Sequence, residues 1–149
     1  MTATTAITTT ANWIEEATAT LPANRRLAID TRRAPDEYRL SHPIGAVLVH
    51  YDGSSFANRP QNNALVQDRD VRVTATIFAR VHDDGGMSAE EWLEFVIDAV
   101  AGGEIAGSRR ARRHAYVLED KLVKDQGGVR VYRVRFVFPT TYIEQDHRS

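Results

Sequence analysis

Asp70-Val71-Arg72-Val73-Thr74-Ala75-Thr76-Ile77-Phe78-Ala79-Arg80-Val81 decides the fold. Val71, Val73, Ala75, Ile77, Ala79 and Val81 alternate with Arg72, Thr74, Thr76, Phe78 and Arg80, the period of two that puts one strand face in a core and the other toward solvent or a partner. Directly after it, His82-Asp83-Asp84-Gly85-Gly86 reads as a turn. Ser88 then stands three residues before Glu91, a capping box, and Trp92, Leu93, Phe95, Val96, Ala99 and Val100 form a broad apolar stripe that ends at Gly102-Gly103. This helix should pack on the sheet.

Upstream, Ile44-Gly45-Ala46-Val47-Leu48-Val49-His50-Tyr51 is apolar nearly throughout, as in a strand buried on both faces, and Asp52-Gly53 is a turn signal. Residues 52–68 collect Gly, Ser, Asn, Gln and Pro60 without periodicity and read as a long exposed loop. Arg26 to Thr31 alternates as an edge strand would. Before it, Trp13, Ala17 and Leu21 stand four apart between Asn12 and Pro22, the pattern of a short amphipathic helix. Residues 1–11 are rich in Thr and Ala and offer little apolar area against the entropy of ordering, so a flexible arm is expected there.

Downstream, Tyr116 to Val123 and Val129 to Phe138 flank Asp125-Gln126-Gly127-Gly128, a hairpin. Tyr132, Val134, Phe136 and Phe138 share one face; Arg133 and Arg135 take the other. The order α-β-β-β-α-β-β indicates an α+β fold, a largely antiparallel or mixed sheet with helices packed on one face. One domain is expected over residues 12–143, with a polar tail over 144–149. The opposite sheet face would gather Arg72, Thr74, Arg80, Arg133 and Arg135 into a polar, basic surface.

Composition narrows function by exclusion. A chain of 149 residues with 42% hydrophobic and 26% charged residues fits one globular domain rather than a disordered or fibrous chain. Nineteen Lys+Arg nearly balance twenty Asp+Glu, so no global field draws it to nucleic acid or anionic lipid. The absence of cysteine excludes disulfides, thiolate metal sites and a Cys nucleophile. No run approaches the roughly 20 apolar residues that span a bilayer, and the start lacks a signal-peptide pattern, so no membrane partner is expected.

Residues that could carry chemistry do not converge. His82, Asp83 and Asp84 have metal-ligand character but sit in a turn with no second ligand pair at helical spacing. His50 lacks an identifiable Ser or Asp partner, and Asp52-Gly53-Ser54-Ser55 lacks the lysine and glycine pattern of a phosphate loop. Glu90, Glu91, Glu94 and Asp98 lie on a helix whose dipole favours acids in its first turns. Neither catalysis nor a cofactor is expected. Arg109-Arg110-Ala111-Arg112-Arg113-His114 is the one dense charge feature, and it fits a solvated basic loop, a protein interface or a nucleic-acid contact through phosphates.

Taken in order, four features resemble the Mu-like phage tail terminator family: Gly45-Ala46-Val47-Leu48-Val49-His50-Tyr51-Asp52-Gly53-Ser54-Ser55-Phe56, then Gln67-Asp68-Arg69 entering a long alternating strand, then a capped helix, then Val129 to Phe136 with an aromatic at Tyr132. The likeness runs from about Arg25 to Gln145 and rests on order and spacing, since no single motif is specific. It implies a homo-oligomeric ring, usually a hexamer, that caps the tail tube protein, ends tube polymerisation and presents a surface to the neck or head-tail connector protein. In a contractile tail the ring also meets the sheath protein, and DNA passing through it could be contacted non-specifically. The resemblance implies a virion tail protein assembled in the host cytoplasm. A ring needs a heterologous interface between copies and a second surface for the tube. The candidates are Tyr51, Ser54, Phe56, Gln67, Arg69, Arg72, Arg80, Arg109, Arg110, Arg112, Arg113, Arg133 and Arg135. The alternative is a small nucleic-acid-binding or other head-tail neck module that uses the Arg109 to Arg113 cluster.

Overall fold

In the computed structural model, which describes residues 1–57, 66–81, 86–105 and 113–143, five strands form one mixed sheet. They are β1 (Ala28–Asp30), β2 (Gly45–Phe56), β3 (Val66–Arg80), β4 (Tyr116–Gln126) and β5 (Val129–Ile143), and the helices are α1 (Ala3–Thr18) and α2 (Ala89–Val100). The spatial order is β1-β2-β3-β5-β4, antiparallel except for β1 beside β2. The α+β fold with its helices on one sheet face stands as the sequence indicates.

Alternation in the decisive strand translates directly into packing. Val71, Val73, Ala75, Ile77 and Ala79 face the helices with no measurable exposure, and across from them in β5 stand Phe138, Phe136, Val134, Tyr132 and Arg130. Val47 and Val49 of β2 join the same core, as do Trp92, Val96 and Val100 of α2 and Ile14 of α1. The Ser88 hydroxyl accepts from the Glu91 amide at 3.1 Å while the Glu91 carboxylate accepts from the Ser88 amide, closing the capping box. Gln126 pairs with Val129 around Gly127 and Gly128, both at positive φ, which a two-residue turn of the I′ kind requires.

Four expectations need correction. Residues 1–11 are no loose arm: α1 starts at Ala3, and Ala6, Thr10 and Ala11 are buried. The Thr10 hydroxyl donates to the Ala6 carbonyl at 2.8 Å, so its polar atom is satisfied inside the helix and its methyl is free to pack. The Thr2 hydroxyl caps the start by accepting from the Thr5 amide. Asp52-Gly53 is a bulge within β2 rather than a turn; the register with β3 shifts between Tyr51 and Ser54, and Gly53 takes φ 98°. Of the expected long loop, residues 52–56 and 66–68 are strand, and 58–65 lie outside the described residues.

The fourth concerns the far sheet face, which is drier than alternation suggests. Thr74, Thr76 and Phe78 are buried, and over Phe78 the cover is the segment after β1, which folds across this face: Tyr38 packs on the Phe78 ring at 4.8 Å, and Leu40 joins Leu48, Phe78 and Val131 in a second small core.

Candidate assembly surfaces

The helices cover the near face of the sheet as far as Val71 and Phe138, and beyond them the same face is open among the described residues. Strand register brings Tyr51, Ser54 and Phe56 of β2, Gln67 and Arg69 of β3, and Tyr142 of β5 together there. Tyr51, Phe56 and Tyr142 are 39%, 48% and 40% exposed, a large aromatic area for one strand end. Arg69 ties it together: its Nε donates to Ser54 Oγ at 3.1 Å, and its guanidinium stands 5.1 Å from the Phe56 ring centre, within cation–π range. Phe56 meets Tyr142 edge-on at 5.6 Å. Tyr51 Oη lies 2.7 Å from Ser54 Oγ; that hydrogen bond and the adjacent Arg69 hold the tyrosine below its ordinary value. Gln67 Nε2 donates to the Ala57 carbonyl at 2.8 Å and stiffens the tip.

Five of the sequence candidates therefore share one patch. Arg72 points to the other face, where it donates to Ser55 Oγ at 2.8 Å. Arg80 sits at the opposite sheet end and donates to the carbonyls of His42 at 2.8 Å and Leu40 at 3.1 Å, pinning the segment that covers the far face. Arg113 has its carbonyl bonded to the Ile105 amide; Arg109, Arg110 and Arg112 lie outside the described residues, as do His82, Asp83 and Asp84. Among the described residues no group of three His, Asp or Glu side chains could hold a metal ion, and no helix is long and apolar enough to cross a membrane. Tyr142 was missed, although the β5 alternation through Phe136 and Phe138, carried past Pro139, points to it.

The far face forms the second surface. His50, Thr74, Arg135 and Glu119 make one row across β2, β3, β5 and β4; Leu48, Thr76, Arg133 and Lys121 make the next. Arg135 Nη1 meets Glu119 at 3.1 Å, and its Nε lies 3.1 Å from Asp52, an ion pair without hydrogen-bond geometry. Arg133 Nε, His50 Nδ1 and Thr74 Oγ1 are buried without a hydrogen-bond partner among the described residues. Beside them runs a groove of about 380 Å³ between Pro35-Asp36, Tyr38 and the sheet, floored by Thr76, Phe78 and Val131.

Burial lowers the His50 pKa, partly opposed by the Asp52 and Asp36 carboxylates. A base held neutral in the fold and protonating near 6.5 when unfolded leaves the unfolded chain with more bound protons below that value. Its contribution is whole above about pH 6.5 and falls as pH drops through the lower folded value. Urea midpoints measured at about pH 7.5 and about pH 5.5 should fall less in His50→Gln than in wild type. Equal pH sensitivity in the two proteins would refute this assignment.

No curated protein matches the sequence. Among solved structures, a chain of one described as the virion of a native gene transfer agent particle superposes with a TM-score of 0.51, covering 86% of this chain and 91% of that chain at 14% identity. At that identity the likeness is one of fold. The model of the Gp37 protein family matches residues 14–149, from inside α1 through the end of the sequence, and on that match the chain belongs to the Gp37 protein family.

Proposed function

We propose that this chain is a structural, non-catalytic virion subunit. It forms a ring, a hexamer, that caps the phage tail tube, ends tube polymerisation and joins the tail to the neck or head-tail connector. The sheath protein would be a further partner if the tail is contractile. What carries the reading is the open end of the near sheet face, where Phe56, Arg69 and Tyr142 form an aromatic and cationic patch that the helices leave uncovered. Aromatic residues and Arg are the types that anchor protein interfaces. The gene transfer agent virion supports it too, since a chain of the same fold occurs there in an assembled particle. The ordered match to the tail terminator pattern supplies the finer assignment, and the two separate surfaces meet the need of a capping ring for one interface between copies and another for the tube.

The test is to mix purified protein with uncapped tails and view them by electron microscopy, with mass photometry of the free protein. Rings at tube ends are expected. Monomers alone, free and with tails, would sink the proposal. Losing a central aromatic anchor costs about 2 kcal/mol, so Phe56→Ser should weaken tube capping about thirtyfold while leaving the free oligomer intact. Unchanged capping by this variant would remove the patch from the tube interface.

A further inference from the structure

Charge is segregated across the two layers of this molecule. The helices carry Glu15, Glu16, Glu90, Glu91, Glu94 and Asp98 and no Lys or Arg. Apart from Glu90, which bonds Tyr132 and Arg130, none of these acids has an ion-pair partner among the described residues, and all six are exposed. On the far sheet face Asp52 and Glu119 are both paired with Arg135, and the charges left over have the opposite sign. Arg133 and, beside it on β4, Lys121 meet no carboxylate among the described residues, and Lys124 lines the groove with Arg133. Asp36 is the one acid among the described residues of the groove, against Lys124 and Arg133, so with His50 neutral these residues are net positive.

Hydrogen bonding points the same way. Arg133 Nε, His50 Nδ1 and the hydroxyl of Thr74, a residue only 1% exposed, are buried on this face and unmet among the described residues. An unmet buried group costs about 1–3 kcal/mol and more when charged. A carboxylate is the acceptor an arginine takes best. The chain's own α2 acids cannot supply it, because the helices lie on the other side of the sheet.

We propose that the far sheet face of one copy docks on the helix layer of a second copy, with Glu94 and Asp98 of α2 entering beside Arg133 and His50. This rests on the self-assembly part of the function proposed above and names its interface. A near-zero net charge leaves little long-range repulsion between copies, while opposite patches steer and orient them. The two surfaces are different, so the contact is heterologous: each copy offers a free surface to the next, and a suitable rotation at each step closes a ring.

Charge swapping tests this in the full-length protein. Glu94→Lys with Asp98→Lys leaves the capping box and the Glu90 bonds untouched; Lys121→Glu with Arg133→Glu reverses the other surface. In low salt, about 50 mM, wild type should assemble and each double variant should associate at least tenfold more weakly by light scattering. An equimolar mixture of the two should recover assembly, because the reversed helix layer of one meets the reversed sheet face of the other. Circular dichroism and urea midpoints check folding; if Arg133→Glu does not fold, Lys121→Glu with Lys124→Glu, both exposed, takes its place. Wild-type association in either double variant, or a mixture that stays monomeric, overturns the interface. Rings that persist in both variants overturn it while leaving the ring itself standing. Charge-dependent oligomers that never cap a tube keep the interface and remove the tail function. A monomeric wild type overturns both.

Discussion

Phe138→Ala should lose about 3–5 kcal/mol of unfolding free energy, among the larger effects a single substitution can have in this chain. Phe138 has no exposure, lies opposite Val71 in the central strand pair and stacks on Trp13 at 5.8 Å with the rings nearly parallel. Trp13 is also seated against Gly103, where a Cβ would fall 2.4 Å from its ring. Removing the Phe138 ring therefore costs its own transfer free energy and leaves a void beneath α1 that the fixed β3–β5 register cannot close. For a domain whose total stability is on the order of 5–15 kcal/mol, that is a large fraction. Urea unfolding followed by tryptophan fluorescence gives the midpoint shift. Phe56→Ala, whose ring is 48% exposed, serves as the comparison and should lose about 1 kcal/mol or less. Equal losses in the two variants would mean that Phe138 does not hold α1 to the sheet.

The contrast between these two phenylalanines marks what local sequence can tell. The burial of Phe138 is legible because it continues the alternation of Tyr132, Val134 and Phe136, and the capping box at Ser88 is legible because both partners lie within one turn. Asp52-Gly53 is ambiguous for a physical reason: a tight turn and a bulge both call for a residue at positive φ, and only the pairing of β2 with β3 on both sides of Gly53 separates them. The dryness of Phe78 depends on Tyr38 and Leu40, about 40 residues away, folding over the far face, which its own alternation cannot encode. The candidate patch divides in the same manner. Tyr51, Ser54, Phe56, Gln67 and Arg69 can be picked out by type and order, but the bond between Arg69 and Ser54 spans fifteen residues and exists only through strand register. Arg80 looks like a surface cation in sequence; its acceptors, the carbonyls of Leu40 and His42, appear only once the chain has crossed the sheet.

The start of α1 gives the sharpest test of tertiary over local information, because Thr-rich sequence has weak helix propensity and its burial rests entirely on packing. Ala6 has no exposure, whereas Thr8, two residues on, is exposed. Ala6→Asp would place a carboxylate among Ile14, Val96 and the other residues of the main core. An uncompensated buried charge costs about 3–5 kcal/mol, unless the group takes up a proton and so makes the variant's stability rise as pH falls. Thr8→Asp puts the same charge on the solvent side and should shift stability by no more than about 0.5 kcal/mol. Comparing the two variants by urea midpoint separates a docked helix from a loose arm, since an arm would tolerate aspartate equally at either position. A docked helix also explains how small side chains suffice here: Ala6 and Thr10 let the backbone approach the core closely, and the Thr10 hydroxyl, bonded back to Ala6, leaves no polar debt at the contact.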